Sequence, residues 1–203
     1  MKVAFTGTSG SGKTTLVKWV EEEFGLTHLN GSAGTIAQGR LAEIKDNYGY
    51  TGDGHLEVIK ASAINPMFGL EFQNAVLQAR YQSIAENDNF VTDRSPLDNL
   101  VYFATQVAWN KFPTEEFINF EFTCKLAMQE LTHLIYIKPC QPNGEVEDNN
   151  SRIPNRLYQD AIDAIFEKFL LRFSDIEPSP NVLIIDFWDL KERKELIKEF
   201  LLD

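Results

Sequence analysis

The chain has 203 residues, 43% of them hydrophobic, and a formal net charge of −11 at pH 7. These values predict a single α/β domain over residues 1–203 and exclude an intrinsically disordered chain. The negative charge disfavours a broad basic surface for non-specific nucleic-acid binding, although a local basic site stays open. No stretch approaches the ~20 apolar residues of a membrane span, and the N-terminus lacks the pattern of a signal peptide.

A disulfide framework and a zinc site have little support in the sequence. The two cysteines, Cys124 and Cys140, show no C-x-x-C spacing, and the three histidines are scattered along the chain. This pattern predicts neither a disulfide framework nor a zinc site. Together with the lack of membrane and export signals, it leads us to expect a cytoplasmic protein.

The first predicted elements are a strand at 2–6 and a helix at 13–24, joined by a glycine-rich turn. The turn, GTSGSGKT at Gly7–Thr14, matches the phosphate-loop pattern G-x-x-x-x-G-K-[ST]. The backbone N–H groups of such a loop surround a phosphate at a helix N-terminus, which favours anions. We expect Lys13 to reach the β- and γ-phosphates of ATP and the Thr14 hydroxyl to hold Mg²⁺.

A chance match in a surface turn is the alternative, but a strand before the motif and a helix after it favour nucleotide binding. The residues predicted to bind the nucleotide are Gly7, Thr8, Ser9, Gly10, Ser11, Gly12, Lys13, Thr14 and Thr15.

The next part of the chain carries weaker signals. A short strand is predicted at 26–30 and a weak helix at 35–45, followed by a glycine-rich loop at 47–54. This loop is either a substrate-closing element or a plain surface excursion. A short helix is predicted at 55–63, and Asn65-Pro66 is predicted to break it.

A long helix is predicted at 68–86. Gln73 and Arg80 are about two turns apart on this helix, so they share one face. A glutamine amide offers both a donor and an acceptor, which matches the edge of a pyrimidine. The alternative is that both side chains lie on an exposed helix face, where these residue types are common.

Asp93 and Arg94 follow a short buried strand at 90–92, and a helix is predicted directly after them at 96–109. Asp93 either removes the proton from an acceptor hydroxyl or holds Mg²⁺, directly or through water. A third role for Asp93 is a helix cap. We expect Arg94 to bind the substrate or the transferring phosphate; its alternative is a structural pair with Asp98.

The rest of the chain continues to alternate between strands and helices. The predicted elements are a helix at 112–131, a strand at 133–137, a helix at 155–173, a strand at 182–185 and a helix at 190–202. Alternation of this kind predicts a three-layer fold, with a five-stranded parallel sheet between helices and ligands at the carboxyl ends of the strands.

Three stretches resemble the P-loop kinases of nucleosides and nucleotides, the deoxynucleoside kinase and thymidylate kinase group, including its viral members. They are the phosphate loop, Asp93-Arg94-Ser95 at a strand end, and Phe72-Gln73 with Arg80 on one helix. The resemblance implies a P-loop NTPase fold and transfer of phosphate from ATP with Mg²⁺. It also implies that Gln73 pairs with the base edge and that Arg80 supports the base site.

The same resemblance completes the set of candidate site residues. Phe72 and Asp98 join Gln73 and Arg80 as candidates for substrate binding. The segment at about 140–156, rich in Pro, Gly and acidic residues, is a lid loop, and Arg152 and Arg156 become lid arginines that close over ATP. Planar guanidinium groups suit phosphoryl oxygens; the alternative is two solvated arginines that offset the acidic residues of the loop.

The sequence departs from the family at one position. Deoxynucleoside kinases carry a catalytic glutamate at the end of the second strand, where this chain has Asn30-Gly31-Ser32. Asp93 could therefore be the base, or an acid could come from Glu43, Asp53 or Glu57. A phosphate acceptor would need no base, because it is already a nucleophile.

The leading interpretation is a kinase that acts on a pyrimidine nucleoside or nucleotide. One alternative is a kinase of 5-hydroxymethylpyrimidines such as hydroxymethyluracil in DNA, as in viral DNA modification, which would place the protein in a host cytoplasm. Another is a nucleotide-dependent switch without a small-molecule acceptor. No membrane partner is expected, and a homodimer stays open, because the sequence does not give the oligomeric state.

Overall fold

A computed structural model describes residues 1–30, 38–49, 61–62, 64–106, 114–140, 156–175 and 177–203. Its centre is a five-stranded sheet with the order β2-β3-β1-β4-β5, in which every neighbouring pair is parallel. The strands are β1 (Lys2–Thr6), β2 (Thr27–Leu29), β3 (Phe90–Asp93), β4 (His133–Ile137) and β5 (Asn181–Ile185). Because β1 is the middle strand, the phosphate loop that follows it lies at the middle of the sheet edge.

Helices cover both faces of this sheet, which confirms the predicted three-layer fold. Those in the described residues are α1 (Lys13–Phe24), α2 (Gln38–Asn47), α3 (Pro66–Ala85), α4 (Pro96–Gln106), α5 (Thr114–Met128), α6 (Arg156–Phe173) and α7 (Leu190–Leu202). None of these helices is long and apolar enough to cross a membrane.

Each face of the sheet carries its own apolar core, because successive strand residues point to opposite sides. On one face, Val3 and Phe5 of β1 pack with Leu16 of α1 and Ile197 of α7. On the other face, the cluster contains Ala4 of β1 and side chains from α3, α4, α5 and α6. A central parallel strand buried on both sides explains why β1 is apolar without a polar alternation.

The start of α3 differs from its prediction. Asn65-Pro66 does not only end the preceding segment but begins the helix. The Asn65 side chain accepts from the backbone N of Met67 at 3.1 Å and of Phe68 at 3.4 Å. An asparagine cap followed by proline at the first helical position is a common helix start, since proline lacks only an N–H that would be unpaired there.

Other predicted ends shift by a few residues or fall outside the described part. The weak helix at 35–45 is α2, which runs from Gln38 to Asn47. The helix predicted at 96–109 ends as α4 at Gln106, and the one predicted at 112–131 begins as α5 at Thr114. Most of the helix predicted at 55–63 and of the loop at 47–54 lies outside the described residues.

Candidate active site

The phosphate loop follows β1 at the middle of the sheet edge and needs glycine at two positions. Gly7 has φ +132°, and a Cβ there would overlap the carbonyl oxygen of Ile137 in the neighbouring strand. Gly12, with φ +91°, precedes α1 and lies in the left-handed region. Side chains at either position would be strained, so the tight turn from strand to helix depends on both glycines.

Lys13 lies inside this loop and is only 4% exposed. Its ammonium donates to the carbonyl oxygens of Gly7 at 2.9 Å and Thr8 at 2.6 Å, and to the Ser11 hydroxyl at 3.2 Å. The loop therefore curls around a positive charge. The Thr8 hydroxyl is also buried, and it has no hydrogen-bond partner among the described residues.

Asp93, the last residue of β3, contacts Thr14 in the first turn of α1. The strand register pairs Phe5 with Asp93, and the Thr14 hydroxyl donates to Asp93 Oδ2 at 2.5 Å. The two residues predicted to hold a metal are thus in contact. The capping contacts at the start of α4 come from Ser95 and Asp98, so the helix-cap role considered for Asp93 is wrong.

Arg94 connects the end of β3 to the phosphate loop. Its guanidinium donates to the Gly7 carbonyl at 3.1 Å, the Ser9 hydroxyl at 3.2 Å, Asp98 Oδ1 at 2.8 Å and the Tyr102 hydroxyl at 3.2 Å. The structural pair with Asp98 is therefore present, but the same side chain also reaches the loop. Arg94 has φ +139°, a strained conformation for a non-glycine residue that is typical of functional sites.

Asp98 lies behind Arg94 and is 2% exposed. Its Oδ2 accepts from the Thr6 hydroxyl at 2.7 Å and from the backbone N and hydroxyl of Ser95 at 2.8 and 3.0 Å. Burial alone would raise the pKa of Asp98, but nearby cations hold this pKa below its ordinary value. These cations are Arg94, Lys13 and Arg80. Asp98 thus holds Arg94 and the strand ends in place.

The candidate acceptor side chains on α3 are buried. Phe72, Gln73 and Arg80 are 2%, 5% and 4% exposed, so the alternative of an exposed helix face is wrong. Gln73 Oε1 accepts from Asn99 Nδ2 at 3.2 Å. Arg80 Nη1 donates to the Ser95 carbonyl at 3.0 Å and to Asn99 Oδ1. Burial lowers the pKa of Arg80 to about 10, so it stays charged at neutral pH.

Only part of the predicted lid is described. Arg156 begins α6, where it donates to the Pro139 carbonyl at 2.9 Å and pairs with Asp160 at 2.9 Å. It therefore lies at the tip of β4, on the same sheet edge as the phosphate loop. Arg152 and most of the 140–156 lid lie outside the described residues.

The structure also describes only some of the residues considered in connection with a general base. Glu43 is exposed on α2, and Asn30 follows β2. Asp53 and Glu57, the other acids considered as a base, lie outside the described residues.

Two residues that the sequence analysis missed contact the phosphate loop. Gln159 of α6 donates to the Ser9 carbonyl at 2.8 Å, and Arg193 of α7 donates to the Ser11 carbonyl at 2.9 Å. Each is a polar residue on the buried stripe of its helix. A polar side chain inside an apolar stripe was the one sequence signal that could have revealed them.

Asn99 was missed as well, although it lies between Gln73 and Arg80. It occupies the first half of α4, where the sequence shows only a helical pattern. Its position depends on how α4 packs on α3, and no local signal predicts this contact.

A family model described as AAA domain matches residues 2–174. The chain belongs to this family. The match covers the phosphate loop, Asp93-Arg94 and Gln73 with Arg80, and it ends just after α6. A comparison with curated protein sequences finds no match.

Solved structures with the same fold include several kinases. Deoxyadenosine kinase from M. mycoides with bound dCTP aligns with a TM-score of 0.65 at 16% identity, over 99% of this chain and 98% of that chain. Thymidylate kinase from Candida albicans gives 0.62 at 12% identity, over 98% and 89%. Shikimate kinase from Acinetobacter baumannii in complex with shikimate gives 0.51 at 12% identity, over 98% and 92%. The predicted resemblance to P-loop nucleoside and nucleotide kinases is confirmed in the fold.

Proposed function

We propose that the protein is an ATP-dependent kinase that transfers the γ-phosphate to a pyrimidine nucleoside or nucleotide. The observation that carries this proposal is one continuous chain of hydrogen bonds, buried or partly buried, between the candidate acceptor site and the phosphate loop. Its members, from Gln73 to the loop, are Gln73, Asn99, Arg80, Ser95, Asp98, Arg94 and Gly7.

The phosphate loop has the donors that a polyphosphate needs. Lys13 donates to carbonyl oxygens of its own loop, and phosphate oxygens of ATP would replace these as stronger, charged acceptors. The buried Thr8 hydroxyl offers a further donor. In a chain with a net charge of −11, this local positive site offsets the long-range repulsion of ATP.

The contact between Thr14 and Asp93 fits Mg²⁺, because a hydroxyl and a carboxylate are the hard oxygen ligands that this ion takes alongside phosphates. These two residues would hold the ion, which would neutralise negative charge on the phosphates of ATP. The same contact supports the metal role of Asp93 over the role of general base.

The arginines supply positive charge for the transferring phosphoryl group. Arg94 is held beside the loop by Asp98, so its guanidinium is oriented before the substrate arrives. Preorganised charge of this kind lowers the barrier most, because nothing has to reorganise in the transition state. Arg156, together with Arg152, would close over ATP from the lid.

Gln73 would recognise the base of the acceptor. Its side chain is buried on α3, and its amide is oriented by Asn99. An oriented amide discriminates between base edges, because an unmatched donor or acceptor would be left unpaired in a buried site. The deoxyadenosine and thymidylate kinases of the same fold support a nucleoside or nucleotide acceptor.

The test is a phosphate-transfer screen with γ-labelled ATP and Mg²⁺. The acceptor panel contains nucleosides, nucleoside monophosphates and duplex DNA with hydroxymethyluracil. We expect label on a pyrimidine nucleoside or monophosphate. Label on the modified DNA alone would replace this proposal by the DNA-base kinase, and acceptor-independent ATP hydrolysis would replace it by the nucleotide switch.

A further inference from the structure

Arg193 is unusual in its position on α7. The buried residues of this helix are Arg193, Ile197 and Leu201, spaced four residues apart on the face that packs on the sheet. Arg193 is 2% exposed, and it lies near the helix N-terminus, where the helix dipole disfavours a cation. Burying a guanidinium there is unfavourable unless specific contacts compensate. The position itself therefore points to a role that an apolar residue could not fill.

The contacts of Arg193 join three separate segments at the site edge of the sheet. Its guanidinium donates to the Ser11 carbonyl of the phosphate loop at 2.9 Å, to the Phe187 carbonyl after β5 at 2.6 Å and to the Cys140 sulfur after β4 at 2.8 Å. It also lies over the Trp188 ring, 5.0 Å from the centroid. The planar guanidinium group of Arg193 is thus held in place on several sides.

The contact with Ser11 controls the next peptide of the loop. In a planar trans peptide, the carbonyl of Ser11 and the N–H of Gly12 point in opposite directions. Holding the carbonyl towards Arg193 therefore turns the Gly12 N–H away from Arg193. A Cβ at Gly12 would lie 3.2 Å from Arg193 Nη1, so a side chain there would crowd the guanidinium.

We infer that Arg193 is a positioning residue of the phosphate loop, which fixes the Ser11–Gly12 peptide for phosphate binding from the opposite side of the loop. The inference rests on the proposed role of this loop as the ATP site. Arg193 touches no reacting group; it acts through the backbone next to Lys13. It connects the C-terminal helix, outside the region that the family model matches, to the ATP site.

The test compares Arg193→Lys and Arg193→Met with the wild type in equilibrium binding of ATP with Mg²⁺. Arg193→Lys keeps the charge and the stem but cannot span the three acceptors. The matched control is Lys191→Met, which removes a charge from the same helix at a side chain that is 85% exposed. We expect the Kd for ATP to rise about tenfold or more in both Arg193 variants, with an unchanged Kd in the control.

A second measurement separates positioning from general destabilisation. The KM of the acceptor should stay within about twofold in Arg193→Lys, because the acceptor network on α3 and α4 does not include α7. A merely structural role would lower the thermal midpoint and the active fraction without a selective change in the Kd for ATP. A Kd for ATP within twofold of the wild type in a folded Arg193→Lys would overturn the inference.

Cys140 gives a further readout in Arg193 variants that remain folded. Cys124, the other cysteine, is fully buried, so alkylation by iodoacetamide reports on Cys140. We expect a changed alkylation rate of Cys140 in folded Arg193→Met, because this variant removes both the cation and the contact at the thiol, and an unchanged rate would contradict the contact. ATP binding needs no transfer to an acceptor, so a wild type that binds ATP without kinase activity would refute the proposed function alone. A wild type that binds no ATP would overturn both.

Discussion

The two faces of the sheet support the same phosphate loop in different ways. The face under α1 and α7 is an apolar cluster, to which these two helices add the buried cations Lys13 and Arg193. The face under α3 and α4 has an apolar cluster as well, but it also holds a connected set of buried polar side chains, which are Gln73, Arg80, Ser95, Asp98 and Asn99. Truncating an apolar side chain leaves a cavity, whereas removing one member of a buried polar network leaves its partners unsatisfied. Under the proposed function, one face supports the loop and the other selects the acceptor.

Lys13→Ala tests the premise that both faces serve one phosphate site. We expect phosphate transfer to fall by at least about 100-fold, because a preorganised charge beside the transferring group is lost. Initial rates with γ-labelled ATP measure this effect, and Lys18→Ala, an exposed lysine on the same helix, is the matched control. Near-normal transfer in Lys13→Ala would remove the basis of the kinase proposal.

Asp98→Asn breaks the polar face at its most connected point. We expect a loss of about 3–5 kcal/mol in the free energy of unfolding at pH 7, because buried cations lose their counter-charge. The control is Asp88→Asn, since the Asp88 side chain is fully exposed. Urea unfolding of both variants measures the difference.

The same variant has a defined pH dependence. The pKa of Asp98 in the folded protein lies below its ordinary value of 3.8, so the charged form contributes stability above that pH. This contribution is lost as the pH falls through the lower folded-state pKa. The difference in the free energy of unfolding between wild type and Asp98→Asn should therefore become smaller from pH 7 to pH 3. A difference that grows on acidification would refute the assignment.

Leu16→Ala is the corresponding change on the apolar face. Leu16 is fully buried, and its truncation should lower the free energy of unfolding by about 2–5 kcal/mol. The KM of the acceptor should not change, because no acceptor contact lies on this face. Leu202→Ala, at a leucine that is 68% exposed, is the control. A change of acceptor preference in Leu16→Ala would remove the distinction between the faces.

Gln73→Ala is expected to have the smallest effect on stability and the most selective effect on kinetics. We expect the acceptor KM to rise about tenfold, the size of one lost buried hydrogen bond, with ATP binding unchanged. Gln78→Ala, an exposed position on the same helix, controls for helix propensity. Weakened ATP binding in Gln73→Ala would mean that the acceptor site lies elsewhere.

The sequence by itself determined the parts of this protein that depend on local pattern. The phosphate loop, the five strands and most helix cores follow from glycine spacing and apolar periodicity, which act within a few residues of chain. The contact of Thr14 with Asp93 was also predictable, because carboxyl ends of parallel strands meet at one edge. Element ends were less certain, as at Asn65-Pro66, since capping and breaking signals use the same residues.

Only the tertiary structure decided which distant side chains act on the loop. Arg193 and Gln159 lie more than a hundred residues from Gly7 in sequence, and Asn99 reaches Gln73 only because α4 packs on α3. Likewise, burial of Gln73 and Arg80 was open until the packing of α3 was known. Contacts between elements depend on how whole helices dock on the sheet, and no local pattern of residue types encodes that docking uniquely.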